Sequence, residues 1–597
     1  MTYDIVIAGA TPGGICAAVA AARCGRHVLL LERTDHIGGL PANGLGATDI
    51  GTRGATAGLF LEFVTRVKEY YIALYGEASQ QVKDCSDGYH FEPHVAEQVF
   101  ENMVAGEGDH IRVLRGRQLD ARPDRVCLDA KRSLRSVTVL DRATGALETY
   151  EAKVFIDATY EGDLAAAAGC RFETRREGKS EYGEPFAGRV YRPWGAGPLG
   201  EGSTEEGDDT LQAYNYRLCL TSDPNIRVPI DKPSNYNRVD YASLIGDVRS
   251  GSMEHFMPGK KGARDIGIVN PVALPNGKTD SNNHHASFLS TDLPEENWPY
   301  PSADWEWRDR FAQRLRDYTL GLLWFCQNDP ELPEWFRAEA REWGLAAGEY
   351  TDNDHFPRQI YVREGRRIIG EYLFTALDAI APEDVDRAYR IMEGVEEASR
   401  DKRPPSKLDS VTASHYPLDS HAVRKREPGK VHLDGFLGLG MISRQYQAPY
   451  GVMVPLDIDG VLTPVPCSAT HLGFSTLRME PCWMALGHAA GVAAHVAIDQ
   501  GTTVRRVDIA RVQDLLLKQN QTLTYFRDVP RTHPHWTALQ KAGCLGLFDT
   551  YDAHPDDAID QDAATALALR AQLPTGAAHW RDGQTVGEFV SALIGSA

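Results

Sequence analysis

Two histidines, a cluster of arginines and one glycine-rich turn carry the chemistry this sequence can do. His421 and His471 titrate near neutrality, so either can take a hydroxyl proton as a general base. Asp419 stands two residues before His421, with Tyr416 nearby, and His284, His285 and His355 are further polar candidates. Arg363, Arg366 and Arg367 fall in one apolar-flanked string. Such a cluster grips a substrate carboxylate or phosphate through bidentate bonds, or forms a structural network with Glu364 and Glu371. On a helix the three charges would crowd one another unless acids or a bound anion separate them. Arg366 and Arg367 are expected to be structural, and Arg363 is the candidate for substrate contact. Arg478 either adds positive potential at a cofactor or pairs with Glu480. No His/Asp/Glu spacing forms a persuasive metal site, and no nucleophile elbow is present.

Phosphate chemistry belongs to the first 39 residues. Tyr3 to Ala8 reads as a buried strand, Gly9 to Gly14 as a glycine-rich turn, Ile15 to Cys24 as an Ala-rich helix, and Val28 to Leu31 as a second strand ending on Glu32. This is a βαβ dinucleotide fingerprint. Gly9 allows the tight exit from the strand, and Gly14 lets the helix pack close to the sheet. Pro12 lies in the turn on the cofactor side, and the free N–H groups and positive helix end at Gly13 and Gly14 are expected to face a pyrophosphate. Thr11 stands where a second glycine is usual, so its side chain must point away or its hydroxyl must bond a phosphate oxygen. Glu32 is placed for a ribose hydroxyl and disfavours a 2′-phosphate; Arg33 follows it.

The Gly38-Gly39 doublet just past the acid resembles the FAD-binding proteins of the glutathione-reductase type. A second motif, Phe155-Ile156-Asp157-Ala158-Thr159 to Leu164, resembles the strand by which such chains return to the cofactor after a hairpin, with Tyr160 replacing the usual glycine. Further strings are Glu181 to Glu184, Tyr361 to Gly370, Tyr416 to His421, and Ser468 to His471 running on through Arg478 to Gly491. Together they resemble a family of bacterial FAD-dependent oxidoreductases over most of residues 3 to 525. The resemblance implies FAD, a Rossmann-like nucleotide domain and an inserted substrate domain. It assigns Asp157, Ala158, Thr159, Asp163, Arg478 and Glu480 to the cofactor side with the first motif. One departure is that Thr463 to Pro466 carries no charge where the family usually has an arginine.

The fold class expected is α/β: a Rossmann-like FAD-binding domain, an inserted α+β substrate domain and a small helical C-terminal unit. The expected boundaries are 1–184 and 446–504 for the nucleotide domain, 185–445 for the insertion and 505–597 for the tail. Hairpin strands are expected over 134–153, helices over 92–103, 310–326 and 392–400, and short strands over 450–455 and 460–462. The strings 212–217 and 278–283 read as too polar for core strands. From Phe526 to Gly546 the tail resembles a helical module of the surface-layer-homology kind, with docking or stability as its role.

A formal net charge of −20 argues against a nucleic-acid backbone or an anionic membrane as partner. No uninterrupted apolar run is long enough for a membrane span, and no basic leader precedes the first strand. The ten scattered cysteines, without C-x-x-C, fit reduced thiols in a cytoplasm. Homo-oligomers remain open.

A flavin oxidoreductase needs positive potential near flavin N1, a base for the substrate proton, and a pocket that excludes water. The helix start at Met479 to Pro481 can supply the first, and His421 or His471 the second. No second dinucleotide motif surrounds Gly435 to Gly440, so substrate and an external acceptor, oxygen or another, are expected to visit one site in turn. The reading is hydride transfer from a small, polyhydroxylated substrate to flavin N5. Its rivals are a C=C reductase or monooxygenase reduced by an external donor, and a non-catalytic FAD-containing binding protein.

Overall fold

The computed structural model describes residues 3–195, 197–258, 266–395, 401–572 and 580–595. Its first layer is a parallel sheet of β1 (Ile5–Ala8), β2 (Val28–Leu31), β3 (Ile111–Leu114), β4 (Val154–Asp157) and β5 (Val461–Leu462), in the order β5-β4-β1-β2-β3. The strands β1, β2 and β4 are near-continuous apolar runs because both faces of the sheet are covered. Ile5, Ile7 and Leu30 face helix α1 (Pro12–Arg23) and the main core. Val6, Leu29 and Phe155 face the other way, onto Leu134, Val137 and Val139 of an antiparallel hairpin. That hairpin pairs Leu134–Asp141 with Leu147–Glu151, as the alternation predicts. The sheet is completed by β5, which arrives about 300 residues after β4 and pairs with it in parallel.

Helix α2 (Glu480–Gln500) lies across α1. A Cβ on Gly487 would sit 1.9 Å from the Gly13 carbonyl oxygen, and one on Gly491 2.2 Å from that of Ala17. The small residues of α2 therefore serve a helix–helix crossing. By length and mean hydropathy α2 could span a membrane, but 89% of its most apolar window is buried in the fold, as in a core helix.

The middle of the chain builds a second, antiparallel sheet, in the order Arg227–Val228, Gly344–Ala346, Leu218–Thr221, Lys278–Asn283, Val269–Ala273. Here the expectation for 278–283 fails: this polar string is an interior strand. Its polar groups are buried because they are paired. Asp280 receives Arg217, and the Lys278 Nζ lies 2.6 Å from Glu92 and 2.7 Å from Glu349. The 24-residue helix Trp305–Asn328 buries Phe311, Leu315, Leu322 and Phe325 at the expected spacing. The helix expected near 392–400 is Pro382–Met392, and 396–400 lie outside the described residues. The strand expected over 450–455 is also displaced: the strand is Tyr446–Pro449, and Tyr450–Met453 is a 3-10 turn.

Among the described residues, the α-helices Ile509–Lys518, Trp536–Cys544, Gln561–Arg570 and Val586–Gly595 follow α2. Leu539, Leu547 and Phe589 join the same hydrophobic core as α1 and α2.

Candidate active site

Two cavities lie between the parallel sheet and the inserted domain. The first, about 1020 Å³ with its open mouth, runs over the carboxyl end of the sheet, where open α/β sheets bind ligands. Its lining includes Gly9, Thr11, Glu32, Arg33, Gly39, Thr159 and Asp163, all of them expected on the cofactor side from the sequence. Gly9 adopts φ +92°, and a Cβ there would sit 2.8 Å from the Ala158 oxygen, so the turn needs glycine.

Thr11 turns its hydroxyl onto the protein. Its hydroxyl donates to Ala158 O at 2.8 Å and accepts from Gly14 N at 3.2 Å, capping α1. The Gly14 N–H is therefore spent on the cap instead of a phosphate, and Pro12 has none to give. Gly13 is left as the first-turn donor. Glu32 ties the turn together: it accepts from Ala10 N at 3.0 Å and from Thr34 N at 2.8 Å. Arg33 faces the inserted domain, with its guanidinium 3.9 Å above the Trp305 ring and 2.7 Å from Asp309. Gly38 lies beside Phe100 and Ala42 in the loop entering this wall.

Asp157 departs from its expected place. It is fully buried behind the cavity, accepting from Thr159 N at 3.1 Å, Thr159 Oγ1 at 2.7 Å and Ala165 N at 2.8 Å, and burial pushes its carboxyl up to about 6. It shapes the turn that presents Thr159. Burial pushes the Asp163 carboxyl up, but Arg308 at 2.6 Å and Arg366 at 2.6 Å outweigh this and hold it below the ordinary range. Tyr160 turns its hydroxyl onto Glu480 and accepts from Leu40 N at 3.1 Å, between the glycine doublet and the start of α2. Burial pushes Glu480 up to about 8, so it is held largely protonated at neutral pH. The Glu480 Oε2 and Trp483 Nε1 atoms are buried without a hydrogen-bond partner. A polar cofactor crossing the start of α2 is the kind of group that such atoms fit.

The second cavity, about 700 Å³, is walled by the inserted sheet. His421 and Arg478 line it, with Asp49, Arg217, Asn283, Tyr361 and Asp419. His421 is held by Asp292, whose carboxylate is 2.8 Å from Nδ1, while Nε2 faces Asp419 at 3.5 Å. Burial and then Arg363 push the imidazole down to about 4, so it is neutral at pH 7. Arg478 donates to Tyr361 Oη at 2.7 Å and to Asp419 O at 2.7 Å, so neither of its hydrogen bonds goes to Glu480.

Arg363 stands behind this wall and not in it. It is fully buried, 2.9 Å from Asp292 and donating to Asn283 Oδ1 at 3.0 Å and to Ala213 O. The string 361–370 is not helical, so its arginines diverge: Arg366 goes to Asp163, and Arg367 to Glu177 and Glu364 at 2.8 Å each. Glu371 pairs instead with Arg505. His471 also leaves the group. It lines a third, smaller cavity, with Nδ1 2.8 Å from Glu364 and Nε2 3.2 Å from Ser420 Oγ. His285 lines the second cavity, stacked on Trp194, whereas His355 bonds Glu349 O elsewhere. Asp292, Arg217 and Asp49 were missed, since no short-range pattern marks them.

One cluster among the described residues has metal-ligand spacing, Glu92, His94 and Glu349. The Lys278 ammonium sits between its carboxylates, where a cation would be.

A family model for FAD dependent oxidoreductases matches residues 4–516. The chain belongs to that family. It is therefore an FAD-dependent oxidoreductase, and the cavity over the glycine turn is lined by Gly9, Thr11, Glu32 and Gly39 of its dinucleotide fingerprint. No curated protein matches the sequence. Solved structures with local likeness include OxyS anhydrotetracycline hydroxylase from Streptomyces rimosus, at 17% identity, 32% of this chain, 38% of that chain and a TM-score of 0.20. THI4 of Thermovibrio ammonificans gives 18%, 30%, 66% and 0.20. The glycerol-3-phosphate dehydrogenase from Bacillus halodurans complexed with FAD gives 11%, 32%, 42% and 0.20. The likeness spans less than two thirds of each of these chains.

Proposed function

We propose that this FAD oxidoreductase is an oxidase or dehydrogenase that converts a CH–OH group of a small polyhydroxylated substrate to a carbonyl. The observation that carries the reading is His421, a buried neutral imidazole fixed by Asp292 at the edge of a polar cavity. FAD, when bound, supplies the two-electron acceptor that takes the hydride. The protein supplies the rest. His421 Nε2 takes the hydroxyl proton. Asp292 keeps Nδ1 as a donor and offsets the imidazolium charge that then forms. Arg363, on the far oxygen of Asp292, keeps that carboxylate ionised and acts as a positioning residue. Arg478 brings positive charge to the cavity beside α2.

Gly9, Pro12, Gly13, Gly39, Thr159 and Asp163 would hold the dinucleotide, with Glu32 at its ribose end. An external acceptor, oxygen or another, closes the cycle. The ten cysteines are all free thiols, which supports a reducing cytoplasm as the working compartment.

The test is anaerobic. The FAD-loaded protein is mixed with polyols, sugars and sugar acids, and the visible flavin band is followed. Bleaching by one of these classes is expected. Bleaching by NAD(P)H alone, with none by any hydroxylated compound, would favour the reductase or monooxygenase reading.

A further inference from the structure

The second cavity contains an unfinished set of hydrogen bonds. Asn283 Nδ2, Asp419 Oδ1 and Arg478 Nε are enclosed by protein and have no hydrogen-bond partner. All three residues line the same cavity. The rest of each side chain is committed. Asn283 Oδ1 accepts from Arg363 at 3.0 Å, and the Arg478 Nη atoms serve Tyr361 and the Asp419 carbonyl. Leaving one buried polar atom unpaired costs about 1–3 kcal/mol, so three in one wall point to a ligand that satisfies them.

The cations in this wall are already paired. Arg217 is bidentate to Asp280 at 2.9 and 2.5 Å and lies 3.2 Å from Asp49. Arg478 has the Asp419 carboxylate 3.8 Å away. His421 is neutral at pH 7. A substrate carboxylate would meet the three acids Asp49, Asp280 and Asp419 against the two cations Arg217 and Arg478. A hydroxyl accepts and donates at once, and it is the group that matches donor, acceptor and donor together. Trp194, stacked on His285 with 4.9 Å between ring centroids, gives the cavity one flat apolar wall. An aromatic surface in the same lining as hydroxyl readers suits a ring with one C–H face.

We infer that the cavity selects an uncharged polyhydroxylated ring, a neutral sugar or cyclitol. Its hydroxyls complete the bonds of Asn283, Asp419 and Arg478, and the corresponding sugar acid is rejected. The inference rests on the reading of this cavity as the substrate site.

The test compares neutral hexoses and cyclitols with the matching uronic acids on the FAD-loaded protein. Two readouts are kept apart: perturbation of the flavin spectrum on binding, and anaerobic bleaching. At least a tenfold tighter binding of a neutral ring than of its acid is expected. Asn283→Asp keeps the acceptor for Arg363 and removes the donor, and should weaken the neutral ring about tenfold. Asp419→Asn keeps the shape and removes the charge, and should raise binding of the acid relative to the neutral ring. An acid that binds as tightly as its neutral partner, or an Asp419→Asn variant with unchanged preference, overturns the inference. So does the absence of binding by any neutral ring. A neutral ring that binds selectively but never bleaches the flavin leaves the inference standing and overturns the oxidation reading instead.

Discussion

At the scale of single residues, the proton chemistry turns on one histidine and one acid far from it in sequence. Asp292 precedes His421 by 129 positions, so no local pattern joins them. What the sequence does reveal is local: glycines at the turn, an acid at the end of β2, and a histidine among polar and aromatic neighbours. Partnerships stay hidden. Thr11 and Ala158, Tyr160 and Glu480, and Arg363 and Asp292 are each set by chain folding over long separations. His421→Gln should slow flavin reduction by about 10²–10⁴-fold with FAD still bound, as expected for loss of a general base. Because burial and Arg363 hold His421 near 4, wild-type reduction should stay flat from pH 8 down to about 5 and fall below it. The same shift has a stability consequence. The unfolded chain takes up a proton near the ordinary value of about 6.5 while the native imidazole does not, so its contribution is present above that pH. It is lost progressively as the pH falls toward 4. A rate profile that instead breaks near 6.5 would show that His421 is not the titrating base.

At the scale of elements, the nucleotide half was readable because its strands are apolar on both faces and its helices carry clear starts. The inserted sheet was not. Its strand Lys278–Asn283 looks like a loop by composition, and only the distant partners Arg217, Glu92 and Glu349 make its burial affordable. The small residues of α2 were visible as a pattern, but not what they meet. They meet α1 at a separation that excludes even a methyl group, since a Gly487 Cβ would fall 1.9 Å from the Gly13 oxygen. Gly487→Ala should therefore push α1 away from α2 at the residue that presents the phosphate donor. Overpacking of this kind costs about 1–3 kcal/mol. The expected outcome is a lower thermal midpoint together with faster loss of FAD on dilution. Ala493→Gly, at a position whose side chain already fits, serves as the comparison, because it changes helix propensity without a clash. Loss of stability with FAD retention unchanged would mean that the crossing does not set the phosphate end.

At the scale of the whole molecule, the tail raises the question of whether it is a docking unit or part of the enzyme's core. Its composition and helical spacing suggest a separate module, but its contacts run into the body of the protein. Gln447, next to the nucleotide half, donates to Thr524 Oγ1 at 2.7 Å and to Gly543 O at 3.2 Å. Gln540 accepts from Leu523 N at 2.8 Å and Thr524 N at 2.9 Å, and Tyr551 donates to Gln445 O at 2.9 Å. Leu539, Ala542 and Leu547 belong to the same apolar core as α1 and α2. Removing residues 526–597 would strip these side chains from that core, leave Gln447 with Thr524 Oγ1 but without Gly543 O, and take the Gln540 acceptor from Leu523 N and Thr524 N, at about 1–3 kcal/mol for each group left buried and unmet. Calorimetry of the full chain should show no separate tail transition, because the tail shares its apolar interior with α1 and α2. The shortened chain should unfold at a clearly lower temperature and expose enough apolar surface to bind a hydrophobic dye. A full chain that melts in two steps, with the second step unchanged by the deletion, would instead make the tail an independent module whose surface faces a partner.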